Sequence, residues 1–252
     1  MRPNAFTGLH PFLFEGTLAR TVEDAALVTE ALAGYDPRDP FALDERPSLT
    51  SALGASIRGW RIAYSPDFDV FPVAPEVAAV VEDAVRAFEE AGARVERVRL
   101  GIERDQRELS DLWCRLIVPI NVGTFEAFKR NGLDLLADHR DDFPPEYLHW
   151  IDEGYRWRTP DLMRDEELRS EIYDAIQGAS RTTSCWSRRR SRACPFRTPT
   201  TATLPAGMAE GLPVGMQLIG RRYADADVLA ASAAFERLRP WRDGYAAVMA
   251  ST

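Results

Sequence analysis

Trp60-Arg61-Ile62-Ala63-Tyr64 is a short apolar run, Pro75-Glu76-Val77 opens a helical pattern, and Arg94-Val95-Glu96-Arg97-Val98 alternates apolar with charged residues. Between the two runs Val77, Val80, Val81, Ala84, Val85 and Phe88 recur on one helical face, with proline at the first turn and Gly92 past the last. Strand, helix and strand in that order make a unit of parallel sheet, whose crossover is expected to be right-handed. The fold class is therefore α/β.

Outward from this unit the signals are mostly helical. Thr21-Val22-Glu23-Asp24 reads as a helix start with Asp in the Glu place of a capping box, and apolar residues follow at helical spacing to Gly34. Tyr35-Asp36-Pro37-Arg38-Asp39-Pro40 is turn chemistry. Helices are predicted over about 105–130, 144–153 and 159–177, the last opened by Thr159-Pro160. Leu212 to Ile219 reads as a buried strand, and Asp225 to Leu238 as a helix stopped by Pro240. Four segments result: 1–100 with the strand-helix-strand unit, a helical block over 101–178, an anomalous stretch over 179–200, and a strand and helix over 201–252.

The composition is that of an ordinary globular protein: 252 residues, 45% hydrophobic and 28% charged, with a net charge of -8. That charge disfavours nucleic-acid binding, which relies on excess Lys and Arg to neutralise phosphates. No apolar run approaches the length of a membrane span, and Met1-Arg2-Pro3-Asn4 lacks the features of a signal peptide, so a cytoplasmic location is expected. Three cysteines, Cys114, Cys185 and Cys194, suit reduced thiols better than a disulfide framework.

Intrinsic chemistry is sparse. No serine stands in a Gly-x-Ser-x-Gly elbow. His10, His139 and His149 lack metal-ligand spacing, so no metal site is expected. Gly207, Gly211, Gly215 and Gly220 match no phosphate-binding pattern and are read as turn residues beside a strand. Glu89-Glu90 and Asp141-Asp142 are sequence neighbours, which on regular structure point apart and read as solvated surface. Trp113, Phe125, Tyr147 and Trp157 read as core aromatics.

One segment departs from the rest. From Ala179 to Arg197 there are six arginines, Arg181, Arg188, Arg189, Arg190, Arg192 and Arg197, and no acidic residue. A basic patch with Trp186 interleaved would hold RNA or an acidic partner. The genetic code offers another reading. The chain has 30 Arg and one Lys, Lys129, as a GC-rich coding sequence gives. GC-rich codons for Arg181 through Pro195, read displaced by one nucleotide, permit DYVVLVSPTLACLP, an apolar strand ending at a proline turn. A shifted reading frame accounts for the charge, for Cys185 and for Trp186 without a new function.

Two stretches resemble the amidase signature family. The first runs through Gly8-Leu9-His10-Pro11-Phe12 and Gly16-Thr17-Leu18-Ala19-Arg20-Thr21-Val22-Glu23-Asp24-Ala25-Ala26 to Leu32-Ala33-Gly34-Tyr35-Asp36-Pro37-Arg38-Asp39. The second is Leu204-Pro205-Ala206-Gly207 through Gly211-Leu212-Pro213-Val214-Gly215-Met216-Gln217-Leu218-Ile219-Gly220, continued by Asp225, Leu229, Phe235-Glu236 and Pro240-Trp241. The resemblance implies the C-terminal part of an amidase fold, a mixed β-sheet flanked by helices with a helical block inserted. It also implies hydrolysis of a small-molecule amide by a Ser, cis-Ser, Lys triad without metal or cofactor. In the family those three residues precede the first block, so no catalytic residue is assigned here. Lys129, in Phe128-Lys129-Arg130, matches no family motif, and the substrate-binding residues are unknown.

The expectation is a truncated amidase-family protein, inactive by itself, since losing the nucleophile of a comparable triad costs on the order of a millionfold. Missing sheet partners would leave apolar faces open and favour aggregation. The alternatives are a non-catalytic binding protein using residues 181–197 for an acidic partner, and a chain completed by a separate N-terminal fragment.

Overall fold

The computed structural model describes residues 16–37, 42, 48–180, 185–189 and 200–241, with backbone alone for 179–180 and 185–189. Gly8 to Phe12 with His10, the turn residues Arg38 to Pro40, Cys194, and Arg181, Arg190, Arg192 and Arg197 lie outside the described residues. The chain divides into two compact units; the described part of one is Arg104–Tyr173, and the other holds the remaining described residues.

The second unit is built on five strands: β1 (Arg61–Tyr64), β2 (Arg94–Arg97), β3 (Cys185–Arg189), β4 (Thr201–Ala209) and β5 (Leu212–Ile219). Their order is β2-β1-β3-β5-β4. β1 runs parallel to β2, with Ile62 opposite Val95, and parallel to β3, with Ile62 opposite Cys185. β3 is antiparallel to β5, Trp186 facing Ile219, and β4 closes an antiparallel hairpin with β5. The sheet is thus mixed, as the resemblance implies.

Helix α3 (Pro75–Glu90) makes the crossover between β1 and β2. Its apolar stripe meets α8 (Asp225–Leu238) on one face of the sheet, where Val81, Val85 and Phe88 join Val228, Ala231 and Phe235 over Ile62, Met216 and Leu218. The Phe88 and Phe235 ring centroids are 5.5 Å apart with the planes tilted by 31°, a contact that adds to the area they bury. α3 ends as its glycine predicts. Gly92 sits at φ +91°, its N–H donates to Glu89 O at 2.9 Å, and the Ala93 N–H reaches Phe88 O at 2.9 Å, satisfying two terminal carbonyls.

Helix α1 (Val22–Leu32) is capped by Thr21, whose Oγ1 accepts the Asp24 N–H at 3.0 Å. Val22 and Ala26 are its buried residues. Glu30 accepts both the N–H and the hydroxyl of Thr50, at 2.8 and 2.9 Å, and so holds the start of the short helix α2 (Leu49–Ala52).

The first unit is helical. It holds α4 (Gln106–Arg130), α5 (Leu135–Asp138), a 3₁₀ turn (Arg140–Asp142), α6 (Pro145–Gly154) and most of α7 (Thr159–Ser180). Asp105 caps α4 through a 2.8 Å bond from the Glu108 N–H. Leu109, Leu112, Leu116, Val118 and Phe125 form its buried face. A Cβ on Gly154 would run into Val118 Cγ1, so glycine is what lets the end of α6 approach α4. Phe125, Phe143 and Tyr147 form an aromatic cluster with centroids 5.4–6.3 Å apart.

Candidate functional site

In α/β sheets ligands bind beyond the carboxyl ends of parallel strands, so the ends of β1 and β2 are where a site would form. Here the loops that follow these strands are tied to one another. The Ser65 hydroxyl, fully buried, accepts the Phe68 N–H at 3.2 Å, and Asp67 Oδ1 accepts the Asp69 N–H at 2.9 Å. Phe68 and Asp69 both take left-handed backbone, φ 57° and 62°, which non-glycine residues adopt only when their surroundings hold them there. What holds them is the Asp69 carboxylate: Oδ2 accepts the backbone N–H groups of Leu100 at 2.7 Å and Gly101 at 2.9 Å. Asp69 therefore staples the loop after β1 to the loop after β2. The Tyr64 phenol is buried with no hydrogen-bond partner among the described residues, and burial, reinforced by Glu82, pushes it up to about 12.

No described residue combines a nucleophile with a base. A lysine that takes a proton must be neutral, which requires its affinity for protons to fall. Lys129 goes the other way: it lies 2.8 Å from Asp134 Oδ2, and that hydrogen bond holds its ammonium charged. Cys114 is the free thiol among the described side chains; burial, then Asp111, pushes it up against the opposing pull of Arg115, which keeps it a thiol. His139 pairs with Asp142 at 3.2 Å on the surface, and the His149 ring stands 5.8 Å from that of Trp150. Among the described residues no group of His, Cys, Asp and Glu could hold a metal ion, and no helix is long and apolar enough to cross a membrane.

The remaining candidates fall into place as structure. Glu90 is bound by Arg239, whose hydrogen bond lowers the carboxyl below its usual range. Glu210 and Gly211, at φ 49° and 78°, make the two-residue turn of the β4–β5 hairpin. Gly207 lies where the ladder slips between Pro205 and Gly207, with Val80 Cγ1 only 2.9 Å from where a Cβ would stand. Gly220 is crowded by Val228 Cγ2 at 2.5 Å. Gly211 thus holds a turn as read from the sequence, whereas Gly207 and Gly220 allow close packing, a role the sequence reading did not assign. Phe125 and Tyr147 are cluster aromatics of the helical unit.

Sequence reasoning missed the residues that join distant segments. Glu236 Oε2 accepts the Val22 N–H at 3.0 Å, and Trp241 Nε1 donates to Arg20 O at 3.0 Å. Their signal was nonetheless present, because Glu236 and Trp241 lie in the second family-like stretch and Arg20 and Val22 in the first.

A mixed sheet flanked by helices thus carries these two stretches in mutual contact. A family model described as Amidase matches residues 11–146. The chain belongs to the amidase signature family. It is 28% identical over 262 residues to an acylamidase of Rhodococcus erythropolis, covering 91% of this chain and 53% of that protein. It is also 28% identical over 265 residues to one of the subunits of glutamyl-tRNA(Gln) amidotransferase from Moorella thermoacetica, covering 88% of this chain and 53% of that one. The crystal structure of a bacterial aryl acylamidase of the amidase signature enzymes superposes with a TM-score of 0.90 and 36% identity, over 100% of this chain and 58% of its own. The chain thus spans about half the length of the curated relatives it matches.

Proposed function

We propose that this chain is the part of an amidase that builds the sheet and the helical block, and that it hydrolyses a carbon–nitrogen amide bond only together with the part that supplies the Ser, cis-Ser and Lys. The observation that carries this is the fate of its single lysine. Lys129 is exposed, ion-paired and held charged, in a chain that otherwise matches amidases along nearly all its length. The test is hydrolysis of an aryl amide by the purified chain, followed by release of the aryl amine. No release above buffer is expected. Turnover that a Lys129→Ala variant abolishes would overturn the proposal.

The anomalous stretch belongs to this reading. β3 is an interior strand, its backbone flanked by Ile62 and Ala63 on one side and Met216 and Leu218 on the other, all fully buried. Arg188 and Arg189 stand in register with Gln217 and Met216. An interior strand is ordinarily built from apolar residues, and this one carries two arginines in its sequence. The shifted frame reads VVLVS across Ser184 to Arg188, nearly the same positions as the strand. The pairing of Cys185–Arg189 into the sheet also argues against that part of the stretch serving as a free basic strap for an acidic partner. We infer that this stretch is out of frame. Replacing residues 182–195 by DYVVLVSPTLACLP should raise the unfolding midpoint, through a gain of several kcal/mol from the apolar area restored to the sheet; a lower midpoint would sink the idea.

A further inference from the structure

Of the twelve large hydrophobic residues most exposed among the described ones, five fall between Leu18 and Tyr35. The others are scattered, as single exposed apolar residues commonly are. The five are not scattered. Val22, Ala26 and Thr29 share the inward side of α1, and Leu27, Val28 and Ala31 recur on the opposite side, with Leu32 on its flank. Leu27 is 58% exposed, Val28 45% and Leu32 73%, and Leu18 and Tyr35 extend the patch at the two ends of the helix. Beyond Asp24 of the first turn the outward side is thus apolar as well as the inward one, more than a helix facing only solvent carries.

The lengths say what packs there. The aryl acylamidase structure superposes over all of this chain with 58% of its own, so about two fifths of that fold has no counterpart here. We propose that the outward face of α1, made by Leu27, Val28, Ala31 and Leu32, seats the part of an amidase fold that the relatives carry beyond the span this chain matches. The occupant is a polypeptide segment with a complementary apolar face. This rests on the amidase reading above and names the surface through which the two parts join. Polar ties on the inner side, Thr17 Oγ1 to Thr29 Oγ1 at 2.9 Å and Glu236 to Val22, fix the helix so that its outer side is presented preformed.

The test is co-expression of the 252-residue chain with a tagged fragment of the aryl acylamidase comprising its residues outside the superposed span. The chain should elute with the fragment, and Leu27→Asp with Leu32→Asp should cut its recovery at least tenfold. Leu27→Met with Leu32→Met should retain it. Hydroxyl-radical footprinting gives a readout without substitution: Leu27 and Leu32 should lose reactivity in the complex, while Leu212, exposed on β5, should not. Equal recovery of the Asp variant, unchanged reactivity, or no complex at all overturns the proposal. A complex that forms through this face but releases no aryl amine leaves the docking surface standing and removes the catalytic reading instead.

Discussion

Glu236 Oε2 accepts the backbone N–H of Val22 at 3.0 Å across 214 residues of sequence. The carboxylate sits at the positive end of α1, where the first-turn N–H groups have no partners within the helix. Glu236→Ala should cost about 1–2 kcal/mol and Glu236→Gln less, because the amide keeps an acceptor. Urea titration followed by far-UV circular dichroism would show it; equal midpoints for Ala and wild type would remove the cap from the account.

Gly92 and Gly59 make a matched pair. Both have left-handed backbone, φ +91° and +79°, but a Cβ on Gly92 would meet Arg58 Cγ at 3.2 Å, while Gly59 has open space around it. Alanine at either site should cost about 1 kcal/mol in backbone strain. Gly92→Ala should exceed Gly59→Ala by the energy needed to move Arg58, an excess that an Arg58→Ala background should erase.

The Arg115 Nε lies 2.9 Å from both oxygens of Asp165, which is 7% exposed. Removing one partner does not cost the same as removing the other. Arg115→Ala leaves a carboxylate unpaired where water barely reaches, about 2–3 kcal/mol, whereas Asp165→Ala leaves a more exposed guanidinium that turns to solvent for less. Joint replacement by Met and Leu should recover most of the loss. A double-mutant cycle on thermal unfolding measures all three.

Tyr64 should make the protein fail at alkaline pH. Its phenol is held up at about 12 in the folded state against about 10 when unfolded, so the folded chain keeps a proton that the unfolded chain loses. Stability is full below about pH 10 and falls as pH rises toward 12. Tyr155, also raised to about 12 by burial and by its bond to Glu126, adds to the same window. Tyr64→Phe removes a buried hydroxyl with no partner among the described residues, so it should leave neutral-pH stability unchanged or slightly higher and flatten part of the alkaline decline. A pH series of melting curves that is steeper for the Phe variant would contradict this.

Much of the architecture was legible because local signals agreed with it. α3 starts at Pro75 and its closing turn holds Gly92, α8 spans Asp225–Leu238 as read, and β5 spans Leu212–Ile219 as read. α4 runs through Pro119 because its apolar stripe is packed along the whole length, which outweighs one missing N–H. β4 was not read as a strand, since Pro205 and Gly207 break its period; the slip of the ladder between them is how the sheet accommodates both. The Asp69 staple was illegible for a different reason. Its partners are backbone N–H groups thirty-one and thirty-two residues away, which no side-chain pattern announces.

β3 has a bearing on the order in which the chain organises. The β4–β5 hairpin closes through a two-residue turn, and β1–α3–β2 is assembled from neighbouring sequence, so both are local and quick to form. Joining Ile62 to Cys185 requires closing a loop of more than a hundred residues, and only after that can Trp186 find Ile219. β3 is therefore the seam along which two early-forming pieces are sewn, and it is the stretch whose sequence suits the task least. A nascent chain should dwell as two half-sheets with unpaired inner edges, and a chaperone that masks strand edges would govern its yield more than any single core residue.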